Sequence, residues 1–323
     1  MKILTVFTGG TIGSTLKDGF IAPEKAQAYT LIDNYRYRGD DGVEFDTVCP
    51  YIALSENLNA EKLNLLIKTV ADNLKNGYDG IIITHGTDTL QYSAAAVGFA
   101  FGAELPIVFV SSNYPLDDKR ANGNDNFLAA VELIKSGTKG VFVAYRNGCG
   151  DVLYHLGTRL KRHAELSDEV LCIGNICGRY KNGVAELYAF NVDIGSTYAD
   201  VKYADKPPIL CVSCRPEDSY SYCLDKVKAV LITPYHSGTL NTESDRFKEF
   251  CRTLQGKGIP AFVIGVPSAE RYESAKSFDE LGLVALPPCA SVSITVKLWL
   301  GLSGGIENIK EFISAPIYGE FAV

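Results

Sequence analysis

The chain lacks the features that would direct it to a membrane or to a polyanion. Its longest apolar runs fall far short of a bilayer span. It opens on Met1-Lys2-Ile3-Leu4-Thr5-Val6-Phe7, a core-strand pattern without a basic n-region and apolar h-region, so no secretory leader is expected. Positive charge is not in excess: 31 Lys and Arg stand against 38 Asp and Glu, for a net charge of −7. That balance argues against nucleic acid and anionic membranes as partners. Internal repeats and low-complexity stretches are missing. So is any second Cys or His pair at a useful distance from Cys211-Val212-Ser213-Cys214, whose spacing alone resembles half of a metal site. Two buried thiols on a strand is the plainer reading, and no metal is expected there. The nine cysteines are odd in number and scattered, which with no leader implies reduced thiols in a cytoplasmic setting. Cys172, Cys177, Cys211, Cys251 and Cys289 lie in apolar segments and are expected to be buried.

What is present is an alternation of strands and helices. Gly80-Ile81-Ile82-Ile83, Pro106-Ile107-Val108-Phe109-Val110 and Val141-Phe142-Val143-Ala144 read as buried strands, the last closing the pattern. Helical spacing runs through 62–74, 89–101 and 126–134. The stretch 14–42 is polar, with few periodic features, and reads as containing a mobile loop. Composition shifts at 191–208, where Asp193, Gly195, Asp200, Asp205 and Pro207-Pro208 make a linker-like segment. Beyond it the alternation restarts, with strands at 209–212, 227–232 and 261–264 and helices at 242–255 and 291–302. The expectation is an α/β protein: a doubly wound, mostly parallel sheet in an N-terminal domain (1–190), a linker (191–207) and a smaller α/β C-terminal domain (208–323).

Two turns carry the chemistry. The first strand runs into Thr8-Gly9-Gly10-Thr11-Ile12-Gly13-Ser14, and the strand at 80–83 runs into Thr84-His85-Gly86-Thr87-Asp88-Thr89. In an open parallel sheet, ligands bind beyond the carboxyl ends of the strands. Neighbouring strands would therefore open both turns onto one crevice. Glycines permit close backbone approach and the threonines supply hydroxyls, the parts needed to attack a carbonyl and hold an oxyanion. The spacing is neither a dinucleotide fingerprint nor a Walker loop. The structural alternative is two tight turns with helix-capping threonines.

Gly-Gly-Thr-Ile-Gly near the start, followed by His-Gly-Thr-Asp-Thr, resembles the L-asparaginase family of amidohydrolases, the type I cytoplasmic members in particular. The resemblance covers the whole length, with its motifs concentrated before residue 175. It implies a cofactor-free hydrolase that releases ammonia and aspartate from L-asparagine, with L-glutamine as the alternative substrate, through a threonine acyl-enzyme, and that forms homodimers or homotetramers. By that resemblance Thr11 is the nucleophile, rather than Thr8, and Thr87 is the second catalytic threonine. The family base is a lysine. Thr158-Arg159-Leu160-Lys161-Arg162-His163-Ala164-Glu165 supplies Lys161, with Arg159 one residue closer to it than is usual. A lysine acting as base must have its pKa lowered by partial burial or by neighbouring positive charge, and Lys161 is expected to be buried. The alternative is a surface charge in a basic run. Lys119 and Arg120 form a rival basic pair, assigned to a solvated face. His85 and His163 are expected to be structural hydrogen-bonders.

The resemblance further assigns Ser55 to the substrate α-carboxylate, and Glu56 with Asp88 to its α-ammonium. Asp88 thus belongs to both the catalytic and the binding set, and Ser112 offers a backbone carbonyl to the leaving amide. Ser55 could instead cap a helix starting near Ala60. Departures from the family pattern are Phe20 where a loop tyrosine is usual, Ala121-Asn122-Gly123 for Ser-Asp-Gly, Tyr235-His236-Ser237-Gly238-Thr239 for a Gly-Asn-x-Pro turn, and Val266-Pro267-Ser268 at a later strand end. Beside asparagine hydrolysis stand two other readings. One is a glutaminase, or an amidase subunit related to the tRNA-dependent amidotransferases, although the acidic pI and the lack of an extra N-terminal domain weigh against a tRNA partner. The other is a catalytically weak homologue that binds aspartate or asparagine.

Overall fold

The structure is a computed structural model that describes residues 1–17, 20–23, 25–39, 41–189, 192 and 194–322, with side chains undescribed from 16 to 28. In chain order its elements are β1 (Lys2–Phe7), β2 (Ser14–Lys17), β3 (Phe20–Pro23), α1 (Lys25–Arg38), β4 (Glu44–Val48), α2 (Ala60–Asn73), β5 (Gly80–Thr84), α3 (Leu90–Phe101), β6 (Pro106–Val110), α4 (Gly123–Lys135), β7 (Gly140–Arg146), β8 (Val152–Leu156), β9 (Gly178–Lys181) and β10 (Val184–Leu187). There follow β11 (Ile209–Ser213), β12 (Ala229–Thr233), α5 (Asp245–Gly256), β13 (Ala261–Val263), β14 (Leu283–Ala285), α6 (Ser291–Ser303) and α7 (Ile309–Ser314).

The larger sheet has the order β10-β9-β8-β7-β6-β5-β1-β4, and the smaller has β11-β12-β13-β14. From β4 through β7 the pairing is parallel. β5 is Gly-Ile-Ile-Ile-Thr with every residue buried, the continuous apolar run that a parallel strand covered on both faces requires. α2 places Leu63, Leu66, Ile67 and Val70 on one buried face, and Asn59 caps it by accepting from the Lys62 N–H at 3.0 Å. α3, almost entirely buried, is packed against α6. The main core includes Leu231, Phe262 and Leu286 of the second half, so it is continuous between the two sheets.

Four expectations need correction. Val141–Ala144 does not close the sheet: β7 is followed by the antiparallel strands β8, β9 and β10. The stretch 14–42 is not featureless, since it holds the β2–β3 hairpin and the helix α1. Among the described side chains of that helix Leu31, Ile32 and Tyr35 are buried, three apolar positions set among polar neighbours. Cys211, on the edge strand β11, is exposed, and Cys172 is only half-buried in the irregular segment beyond β8. Cys177, Cys251 and Cys289 are buried. No described helix is long and apolar enough to cross a membrane.

Candidate active site

The chain leaves β1 toward β4 on one side, returns to β5 on the other, and then continues outward to β6 and β7. Strand order therefore reverses between β1 and β5, and the crevice at such a reversal is where open α/β sheets bind ligands. Both threonine turns open there.

Glycine lets the turns meet. Gly10 has φ +81°, and a methyl on it would lie 2.3 Å from the Gly86 nitrogen and 2.4 Å from the Gly86 Cα. A methyl on Gly86 would lie 2.5 Å from Ser55 Oγ. Only residues without a Cβ allow this contact of three chain segments. Backbone bonds fix it: the Gly10 N–H donates to Ala53 O at 3.0 Å, and the Ala53 N–H donates to Thr8 O at 3.1 Å.

Within this frame Thr8 is buried, and its hydroxyl donates to Thr84 O at 2.6 Å, lashing the end of β1 to the end of β5. Thr11 leads the short turn Thr11–Gly13 and is partly exposed beside the buried Ile12. Thr87 leads the matching turn Thr87–Thr89 and is also partly exposed, and Asp88 is exposed. The Ser55 hydroxyl donates to Asp88 Oδ2 at 3.2 Å and accepts from the Asp88 N–H at 3.2 Å. Thr89 donates to Ser55 O at 2.8 Å. Ser55 is therefore held to the second turn, and the helix cap considered for it belongs to Asn59. Glu56 is exposed in the turn Ser55–Asn57.

His85 is fully buried. Its Nδ1 lies 2.8 Å from Gly86 O, which can only accept, and its Nε2 lies 2.8 Å from Ser93 Oγ. The ring thus donates through Nδ1 and accepts at Nε2, and burial lowers its pKa to about 4. It is a neutral brace under the Gly86 turn. At the end of β6, Ser112 is buried and its hydroxyl donates to Tyr114 O at 2.6 Å, leaving the backbone as its means of meeting a ligand.

Lys161 departs from expectation. It is exposed, not buried, because it follows the turn Gly157–Arg159 on an extended segment paired with 171–173, and its N–H donates to Leu171 O at 2.8 Å. Among the described residues no hydrogen bond or ion pair joins it to Thr11, Thr87 or Asp88. His163 is half-buried. Lys119 and Arg120 are exposed, and Arg120 pairs with Asp118 at 2.7 Å and lies over the Tyr114 ring. Phe20 contributes backbone to β3, but its side chain lies outside the described residues, as do Asp18, Gly19 and Asp193. The braces Ala53, Thr89 and Ser93 had no assigned role in the sequence, although Thr89 lies inside the second motif. No described group of His, Cys, Asp and Glu could hold a metal ion.

The family model for the asparaginase N-terminal region matches residues 2–165. A glutamyl-tRNA(Gln) amidotransferase component from Methanococcus maripaludis is 31% identical over 216 residues, covering 64% of this chain and 49% of that protein. Its counterpart from Methanobrevibacter smithii is 28% identical over 345 aligned residues, 99% of this chain and 77% of that protein. The chain spans about half the length of the Methanococcus relatives it matches. Among solved structures, the thermostable L-asparaginase from Thermococcus kodakarensis superposes with a TM-score of 0.80 at 22% identity over the whole of both chains. L-asparaginase I from Vibrio cholerae does so with a TM-score of 0.78 at 19% identity, over 100% of this chain and 99% of that one. With half of its length matched by the family model and its fold shared with these structures, the chain belongs to the asparaginase family.

Proposed function

We propose that the chain hydrolyses the side-chain amide of L-asparagine, using Thr11 as nucleophile. The observation that supports this most is the backbone contact of Gly10 with Gly86, one residue ahead of Thr11 and Thr87, over the Ser55–Asp88 pair. In this reading Lys161 removes the Thr11 proton as the hydroxyl attacks the amide carbon. Ammonia leaves, and a water positioned at Thr87 releases aspartate. Ser55 meets the substrate α-carboxylate, Glu56 and Asp88 meet the α-ammonium, and the Ser112 carbonyl meets the leaving amide. Because Lys161 is exposed, the desolvation that a lysine base requires must come from bound substrate or from closure of a neighbouring segment. No cofactor is needed, and the resemblance points to a dimer or paired dimers.

A second reading is favoured by the relatives named as components of glutamyl-tRNA(Gln) amidotransferase: the same site would then release ammonia from glutamine. Both use one constellation and differ by a single methylene of substrate. Ammonia release from L-asparagine and from L-glutamine, with kcat/KM for each, separates them. A higher kcat/KM for asparagine is expected. A preference for glutamine transfers the case to the second reading, and no ammonia from either rules out both.

A further inference from the structure

Two residues ahead of Lys161 stands a side chain whose partners are remote in sequence. Arg159 Nε donates to Gly319 O at 2.6 Å and its Nη2 donates to Phe321 O at 3.1 Å. Thr158, fully buried, donates to Tyr318 O at 2.6 Å. The Tyr318 hydroxyl accepts from the Val141 N–H at 3.0 Å. The segment 317–322 is thus a strap laid across the turn that delivers Lys161.

The strap has its own anchor. Glu320 is wholly buried, accepts from the Ile317 and Tyr318 N–H groups, and receives Lys297 Nζ of α6 at 2.5 Å. Lys297, equally buried, also donates to Ile313 O and Ala315 O. Burial pulls the Lys297 ammonium below its ordinary pKa, and Glu320 opposes that pull. On the far side of the turn, Arg159 O accepts from the Ile173 N–H at 2.8 Å, in the same short pairing that binds the Lys161 N–H. The backbone carrying Lys161 is therefore gripped from both sides while its side chain stands in solvent.

A planar fork reaching two carbonyls is a task for which arginine is suited and lysine is not. We infer that Arg159 is a positioning residue: by hooking the strap 317–322, itself anchored by the buried Lys297–Glu320 pair, it holds Lys161 at the attacking geometry. The inference rests on the amidohydrolase reading with Lys161 as base. Misplacing a reacting group by about 1 Å can cost on the order of a hundredfold in rate, so a slackened strap should appear in turnover and not only in stability.

The test compares native protein with Arg159→Met, Arg159→Gln, Lys161→Met and the Arg159→Met/Lys161→Met double variant, by ammonia release together with thermal melts. Arg159→Met is expected to lower kcat about tenfold or more with KM within about twofold. The double variant should be no slower than Lys161→Met alone, since one residue acts through the other. If Arg159→Met does not fold, Arg159→Gln carries the test, with a smaller loss of kcat and KM again within about twofold. A lowered melting temperature with kcat unchanged, or losses that add in the double variant, overturns the inference. Native turnover in Lys161→Met overturns the base assignment instead, and that outcome is read on its own variant.

Discussion

The two halves of the candidate site are built differently. The half formed by the ends of β1 and β5 is packed backbone on backbone: Gly10 on Gly86, Gly9 on Ala53, Ser55 on Asp88. Backbone hydrogen bonds tie these turns together, and a buried neutral histidine braces the Gly86 carbonyl from beneath. The half that carries Lys161 is a short extended segment with an exposed tip, steadied from behind by a strap more than a hundred residues away in sequence. In the proposed mechanism the nucleophile and the groups that bind substrate sit on the rigid half, and the base sits on the open one. Each half can be broken separately.

The largest loss is expected for Thr11→Ala. Removing the nucleophile should cost roughly a thousandfold or more in kcat, while aspartate still binds through Ser55, Glu56 and Asp88. Retention of a tenth of native kcat, measured alongside aspartate titration, would remove Thr11 from the role. Lys161→Met should follow, at about a hundredfold in kcat, with Lys119→Met near neutral. Exchanged phenotypes for the two lysines would mean that the open half has been assigned to the wrong segment.

Gly10→Ala probes the rigid half without touching a reacting group. Its positive φ and the Gly86 backbone leave no space for a methyl, so denaturant unfolding should show a loss of about 2 kcal/mol or more, together with most of the activity. A well-folded, active Gly10→Ala protein would contradict the close packing of the turns.

A smaller effect should come from acid. Burial lowers His85 and His155 to about 4, and both ring nitrogens of His155 lack a partner among the described residues. A depressed histidine pKa means that the unfolded chain binds more protons between pH ~6.5 and ~4. The associated stability, up to about 3 kcal/mol for each ring, is whole above that window and is lost as pH falls through it. His155→Leu on β8 should flatten the fall in melts between pH 7 and 4.5 and leave kcat unchanged. An unaltered slope would show that His155 is not the sensitive group.

The smallest effect is expected for Phe20→Tyr. If another hydroxyl, from Tyr235 or Tyr29, serves the relay that the family assigns to a loop tyrosine, turnover should change by less than about twofold. A marked acceleration would instead show that the native chain is slow for want of that group.

How far the sequence could be read follows the same division. That Thr11, Thr87 and Asp88 lie on adjoining turns was legible because their motifs follow strands directly, where a parallel sheet brings its turns together. The apolar β5 and the alanine-rich α3 were legible for the same local reason. Of the antiparallel strands after β7, β9 and β10 were not, since their alternation is short and half-polar. Nor was α1, whose described buried positions are set among polar neighbours. The exposure of Lys161 and the strap behind it could not be read locally, because the Arg159–Gly319 contact joins residues 160 apart.

The central claim is that Thr11 becomes acylated. Rapid quenching of the native protein with L-asparagine, followed by intact-mass measurement and peptide mapping, tests it most directly. A mass increase of one aspartyl group on the peptide carrying Thr11, absent in Thr11→Ala, is the predicted result. Steady ammonia release with no acylated peptide, or acylation mapped to Thr87 or another residue, would contradict it.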